Sequence, residues 1–186
     1  MLKAILLSQL IGVIRIAIFV GYIYLVSRMS YIRRTFEFHG AEHKSIACYE
    51  AGEELTVENV RKQKRFHPRC GTSFLLVVMV ISILVFSVAS SGLLTLIPAL
   101  AAMRGSFLYR LIMIVFKLLL LPIVVGITYE INRWAGRSDN LLTRIIAKPG
   151  MWMQNFTTNE PDDSMIEVAI KAVEAVLPSE EGADRW

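Results

Sequence analysis

Along the chain, long unbroken apolar runs alternate with shorter polar blocks. The first apolar run goes from Ile5 to about Val26, the second from Phe74 to about Leu100, the third from Phe107 to about Tyr129. Each exceeds the roughly 20 residues a helix needs to cross a bilayer core of about 30 Å. Three membrane helices are predicted. The first run is too long for the apolar region of a signal peptide, and "VSRMSYIRR" at its end offers no small-residue cleavage site, so a retained helix is expected. An interfacial position stays open for it, because it carries Lys3, Ser8, Gln9 and Arg15.

The polar block, residues 30–71, shows helical punctuation. "HGAEHKSIACYEA" reads as a helix with Gly52 as its C-cap, and "LTVENVRKQKR" restarts at Thr56 as N-cap and ends in a basic turn. "HPRCG" is a turn, with Pro68 fixing φ and Gly71 leading into the second apolar run. In that run Ser87 and Ser91 lie near Ala89, Ser90 and Gly92, small residues that let membrane helices approach. Beyond the third run, "KPGMWMQNF" places Trp152 and Phe156 where an interfacial belt is useful. "NEPDDSMIEVAIKAVEAVL" predicts an amphipathic helix capped by Asn159, with Pro161 in its first turn and an apolar face of Ile166, Ala169, Ile170, Val173, Val176 and Leu177. It is expected to pack on the polar block or on a partner.

Composition sharpens this to an integral membrane protein. The 186 residues are 54% hydrophobic, mean hydropathy is +0.50, and no acid occurs between Glu58 and Glu130. Basic residues orient it. Arg33, Arg34, Lys44, Arg61, Lys62, Lys64, Arg65 and Arg69 fill the polar block, and Arg133, Arg137, Arg144 and Lys148 follow the third run, whereas the connection near Met103 holds only Arg104. Both polar segments are expected in the cytosol and the N-terminus outside. The expected architecture is an all-α, multi-pass plasma-membrane protein with about three membrane helices and a small metal-bound helical cytosolic cap. Its segments are residues 1–29 (first membrane helix), 30–71 (His/Cys block), 72–130 (membrane hairpin) and 131–186 (tail with the interfacial segment and C-terminal helix). A reducing cytosol suits Cys48 and Cys70 as thiols.

The chemistry is concentrated. All three histidines fall in "FEFHGAEHKS" and "KRFHPRCGTSF". His39 and His43, four apart on a helix, point the same way and suit one ion, with Glu42 completing the order H-x-x-E-H. His67 and Cys70 have the two-residue spacing of a zinc knuckle. Three imidazoles and a thiolate suit zinc. Another divalent metal, iron or manganese, gains if Glu50 joins, since it lies two turns beyond His43 on the same face. If all four donors ligate, the site is closed and structural. If one does not, an open position remains and Glu42 is the candidate general base. Cys48 reads as a small apolar residue on the helix.

"FHGAEHKSIACYEAGEELTVENV", "HPRCGTSFL", "ITYEINR" and the tail resemble the YqhQ-like family of bacterial membrane proteins, from about residue 30 onward. The resemblance implies a metal-dependent membrane protein of unknown reaction, with His39, Glu42, His43, His67 and Cys70 at the metal site. Members of that family begin with a Gly- and Met-rich segment ahead of the first helix, which this sequence does not show. Any ligand or substrate contact from such a segment is expected to be missing here.

Arg15 and Lys117 fall near the middle of the first and third runs, with Arg110 seven residues before Lys117. Buried in lipid, such charges are expensive. They are expected to hold a lipid phosphate or an acidic group of a membrane partner, unless they snorkel or the first helix lies in the interface. Three functions compete. An accessory or scaffold component of a membrane assembly, bound to a protein partner or to its own copies, is favoured. A membrane-surface metal-dependent hydrolase acting on peptide or lipid is the alternative. Cation transport fits poorly with spans that lack carboxylates, and no nucleic-acid partner is expected.

Overall fold

Every element among the described residues is helical. The computed structural model describes residues 2–68, 70–137 and 140–177, apart from the side chains at 2–5, 8 and 136; Arg69 and the side chains of Lys3 and Ser8, named above, lie outside these. The order is α1 (Leu2–Val26), α2 (Ser30–Glu50), α3 (Val57–Lys62), α4 (Gly71–Leu96), α5 (Pro98–Ala102), α6 (Phe107–Arg137), α7 (Leu141–Thr157) and α8 (Asp163–Val176). Two compact units result, one of residues 1–21 and 69–150, the other of residues 22–68 and 151–186.

In the first unit lie α4, α6 and α1 as far as Gly21. Three segments are long and apolar enough to cross a membrane: Gln9–Val26, Gly71–Leu96 and Phe107–Ala135. The second is shorter than the run read from sequence, because Pro98 starts the separate helix α5. The third is longer: α6 continues past Tyr129 to Arg137 and takes Glu130 onto the helix, beside Arg133 at 3.8 Å. α4 packs along α6, with Ser87 and Leu76 buried on α4 and Met113, Val124 and Thr128 on α6. Thr128 satisfies its buried hydroxyl by donating to Val124 O at 2.7 Å. α1 meets α4 at Gly12, where a Cβ would collide with Ile83. Most other apolar side chains of these helices are exposed, as a lipid-facing surface requires.

The second unit has its own core. Ala41 and Cys48 of α2, Val60 of α3, and Met165, Ile166, Ala169 and Ile170 of α8 form one buried cluster. Each fully buried Ile or Met contributes about 1.5–3 kcal/mol. α2 starts earlier than read from sequence, at Ser30, and ends where Gly52 takes φ +71°. There Gly52 N–H donates to Tyr49 O at 2.9 Å and Glu53 N–H to Cys48 O at 3.1 Å, a Schellman ending that needs the glycine. Thr56 caps α3 through Asn59 N–H at 3.3 Å, as expected.

Two expectations about the last helix change. Its N-cap is Asp162, which accepts from Met165 N–H at 3.0 Å. Asn159 instead spends its backbone N–H on Phe36 O at 2.8 Å, and the residue before Pro161 is kept out of helical conformation. Val176 is 79% exposed, and Met165 takes a place in the core.

Candidate metal centre

α2 presents one buried stripe: Gly40, Ala41, His43, Lys44, Ser45 and Cys48. His39 and His43, one turn apart, have ring centroids 4.3 Å from each other, and His67 lies 5.8 Å from His43. The imidazoles of the two short segments thus converge.

What fixes them is the C-terminus of α7, whose last carbonyls have no partner within the helix. His39 Nδ1–H donates to Thr157 O at 2.7 Å. Arg65 donates from Nη1 to Thr158 O at 2.7 Å, to Thr158 Oγ1 at 2.9 Å and to Gln154 O at 3.3 Å, a cation at the negative end of the helix. The carbonyl of Arg65 in turn accepts from His43 Nδ1–H at 2.6 Å. A carbonyl only accepts, so both rings carry a proton on Nδ1 and, when neutral, a lone pair on Nε2. Metal-binding histidines are held in this way, with the second ring nitrogen donating to a carbonyl or carboxylate.

His67 is fixed differently. Gln154, fully buried, accepts from His67 N–H at 2.8 Å and donates to His67 O at 2.7 Å. The His67 ring donates from Nε2 to Glu50 Oε2 at 3.2 Å.

His39, His43 and His67 all belong to the second unit, and Cys70 belongs to the first. Cys70 is the N-cap residue of α4, with its Sγ 3.1 Å from Thr72 Oγ1. His43 is 4% exposed, Cys70 5% and His67 8%. Imidazoles brought together in this way suit zinc or a similar divalent transition metal, and the Cys70 thiol is of the same ligand class. The anchored Nδ1 atoms are the structural sign of that fit.

The remaining sequence candidates separate. Glu42 is exposed on α2. Glu50 sits against His67. Cys48 belongs to the core, its thiol donating toward Glu54 O at 3.5 Å; burial first, then the Glu53 charge, pushes its pKa up, so it behaves as an inert small apolar residue. Arg15, Arg110 and Lys117 are exposed on α1 and α6.

Sequence reasoning missed Arg65, Gln154, Thr157 and Thr158. Their role depends on α7 ending beside α2, which no local spacing announces. It also missed why Gly40 stands between the two histidines' turns: a Cβ there would strike Asn159 O, so only glycine lets the segment after α7 lie on α2. Lys44, buried beside His43, donates to Arg61 O at 3.1 Å and pairs with Glu160 at 2.7 Å. Glu160 also faces Arg65 at 3.5 Å, so one exposed acid balances two cations next to the histidines.

The comparisons bear out the family resemblance. A family model described as a protein of unknown function, DUF1385, matches residues 1–179. The uncharacterized protein YqhQ of Bacillus subtilis (strain 168) is 34% identical over 164 residues, covering 88% of this chain and 46% of that protein. The chain therefore spans about half the length of the curated relative it matches. No solved structure matches.

Proposed function

The chain belongs to the DUF1385 family of proteins of unknown function, and from its geometry we propose an integral membrane metalloprotein that serves as an accessory or scaffold component of a membrane assembly. In this reading α1, α4 and α6 span the plasma membrane, and the basic segments around α2, α3 and α7 face the cytosol. His39, His43, His67 and Cys70, the four donors read from the sequence, hold a zinc-type metal. Bound there, the metal supplies folding energy by cross-linking segments that are far apart in sequence.

One observation carries this reading: His39 and His43 donate Nδ1–H to backbone carbonyls at 2.7 and 2.6 Å, which aims both Nε2 lone pairs in a fixed direction before any ion arrives. Burial of His43, His67 and Cys70 favours a closed, structural site over one that admits substrate. The test is metal removal from the purified protein by a chelator, followed by limited proteolysis across residues 30–68. The structural role predicts loss of protection, reproduced by His39→Ala with His43→Ala. Unchanged protection in the metal-free protein contradicts it.

A second reading, a membrane-surface hydrolase, is favoured by the bond of the His67 ring to Glu50, which engages His67 apart from the other donors. Three protein donors leave a fourth position open, as in catalytic zinc sites. The Glu50–His67 pair then holds a proton next to it, and exposed Glu42 is the other candidate base. Peptide or lipid turnover lost in Glu50→Gln or Glu42→Gln, with metal content unchanged, selects this reading.

A further inference from the structure

Two cations stand far from either end of the apolar helices. Arg15 lies ten residues past Ile5 in α1, and Lys117 ten residues past Phe107 in α6. At about 1.5 Å per residue each is about 15 Å deep. The inference rests on the spanning arrangement proposed above. There the chain leaves α1 into a polar block and re-enters as α4 from the same side, then turns back through α5 into α6. α1 and α6 therefore run in the same direction, and both depths are counted from the same face. A bilayer core about 30 Å thick puts both cations near its midplane.

Both side chains are exposed. Lys117 shares its face of α6 with exposed Ile114 and Leu121, and Arg15 shares its face of α1 with exposed Ile11 and Ile18. Intramembrane charges normally face a partner or a polar cavity. The acid on α6, Glu130, is thirteen residues beyond Lys117 and lies beside Arg133 at 3.8 Å. The same three spans in a second copy bring no carboxylate to the midplane either, since residues 1–36 and 59–129 hold no acid. Lipid phosphates lie at the surfaces, and snorkelling serves side chains near helix ends, such as Arg110, three residues past Phe107.

We propose that these mid-bilayer cations, Lys117 on α6 and Arg15 on α1, each receive a carboxylate carried at mid-bilayer depth on a membrane helix of a different protein. The cations set the register of that helix, and the apolar faces around them supply its packing surface.

The experiment reconstitutes the full chain in vesicles with a labelled polyleucine membrane peptide carrying one central Asp, and measures association by energy transfer against the all-leucine peptide. The Asp peptide is expected to associate about tenfold more strongly, the order of a polar contact between membrane helices. Lys117→Leu with Arg15→Leu should abolish the difference, and Lys117→Arg with Arg15→Lys should keep it. Equal association of the two peptides, or an Asp preference that survives the leucine variant, overturns the proposal. So does a bound phospholipid or a self-association that disappears in the leucine variant while the peptides do not discriminate. Alkaline carbonate extraction of the same vesicles tests the spanning arrangement separately. Retention without Asp preference rejects the docking site alone, whereas extraction rejects the arrangement beneath it.

Discussion

Gln154 holds the backbone of His67 from both sides, accepting its N–H at 2.8 Å and donating to its carbonyl at 2.7 Å. A primary amide does this because it carries a donor and an acceptor side by side. The turn bearing the third histidine is thereby tied to α7, 87 residues further along the chain.

Gln154→Leu strands both groups of His67 in a buried site. Each unsatisfied group costs about 1–3 kcal/mol. The melting temperature is expected to fall by an amount consistent with their sum, and metal affinity by about 10–100-fold, as for other groups that orient metal ligands. Thermal unfolding and metal titration of the purified variant check both; an unchanged affinity contradicts a role in positioning the site.

Gly40→Ala forces a methyl group into Asn159 O. Overpacking of this kind costs about 1–3 kcal/mol, more where backbone must move. Gly21→Ala, in α1 with nothing near its Cβ position, serves as the control and is expected to be neutral or slightly stabilising. Equal melting temperatures for the two variants contradict the close approach.

Ser45 is fully buried on α2, and its hydroxyl has no hydrogen-bond partner. Ser45→Ala removes the unpaired group and leaves the backbone untouched. It is expected to stabilise the second unit by about 1 kcal/mol, read as an increase in melting temperature. A decrease shows that the hydroxyl has a partner in solution.

Asp162 caps α8, and the hydrogen bonds from the Ser164 hydroxyl and then the Met165 N–H hold its pKa below the usual carboxylate value. A depressed folded-state pKa gives stability that is present above the unfolded value of about 3.9 and lost as pH falls through the folded one. Asp162→Asn should therefore differ most from wild type at neutral pH and converge with it in acid. Melting curves between neutral and strongly acidic pH measure this, and a gap that widens on acidification contradicts the assignment.

The fold was legible where local rules decide it. Uninterrupted apolar length announced the three long helices, Gly52 the end of α2 and Thr56 the start of α3. The convergence of His39 and His43 followed from a four-residue spacing on one helix. The last cap was misplaced because Asn159, a good cap by type, is claimed by Phe36 O, a contact made only in the folded chain. The supporting network of Arg65, Gln154, Thr157 and Thr158 was invisible for the same reason. Those residues act through backbone groups at a helix end, and no residue-type pattern encodes which helix end lies nearby.

The central claim is that His39, His43 and Cys70 hold a metal. Elemental analysis with X-ray absorption at the metal edge, on wild type beside Cys70→Ser, tests it most directly. The account predicts about one zinc-type ion per chain with imidazole nitrogens and one sulfur in its shell, the sulfur lost in Cys70→Ser. Wild-type protein purified without metal, or with a shell that lacks both sulfur and imidazole, contradicts it.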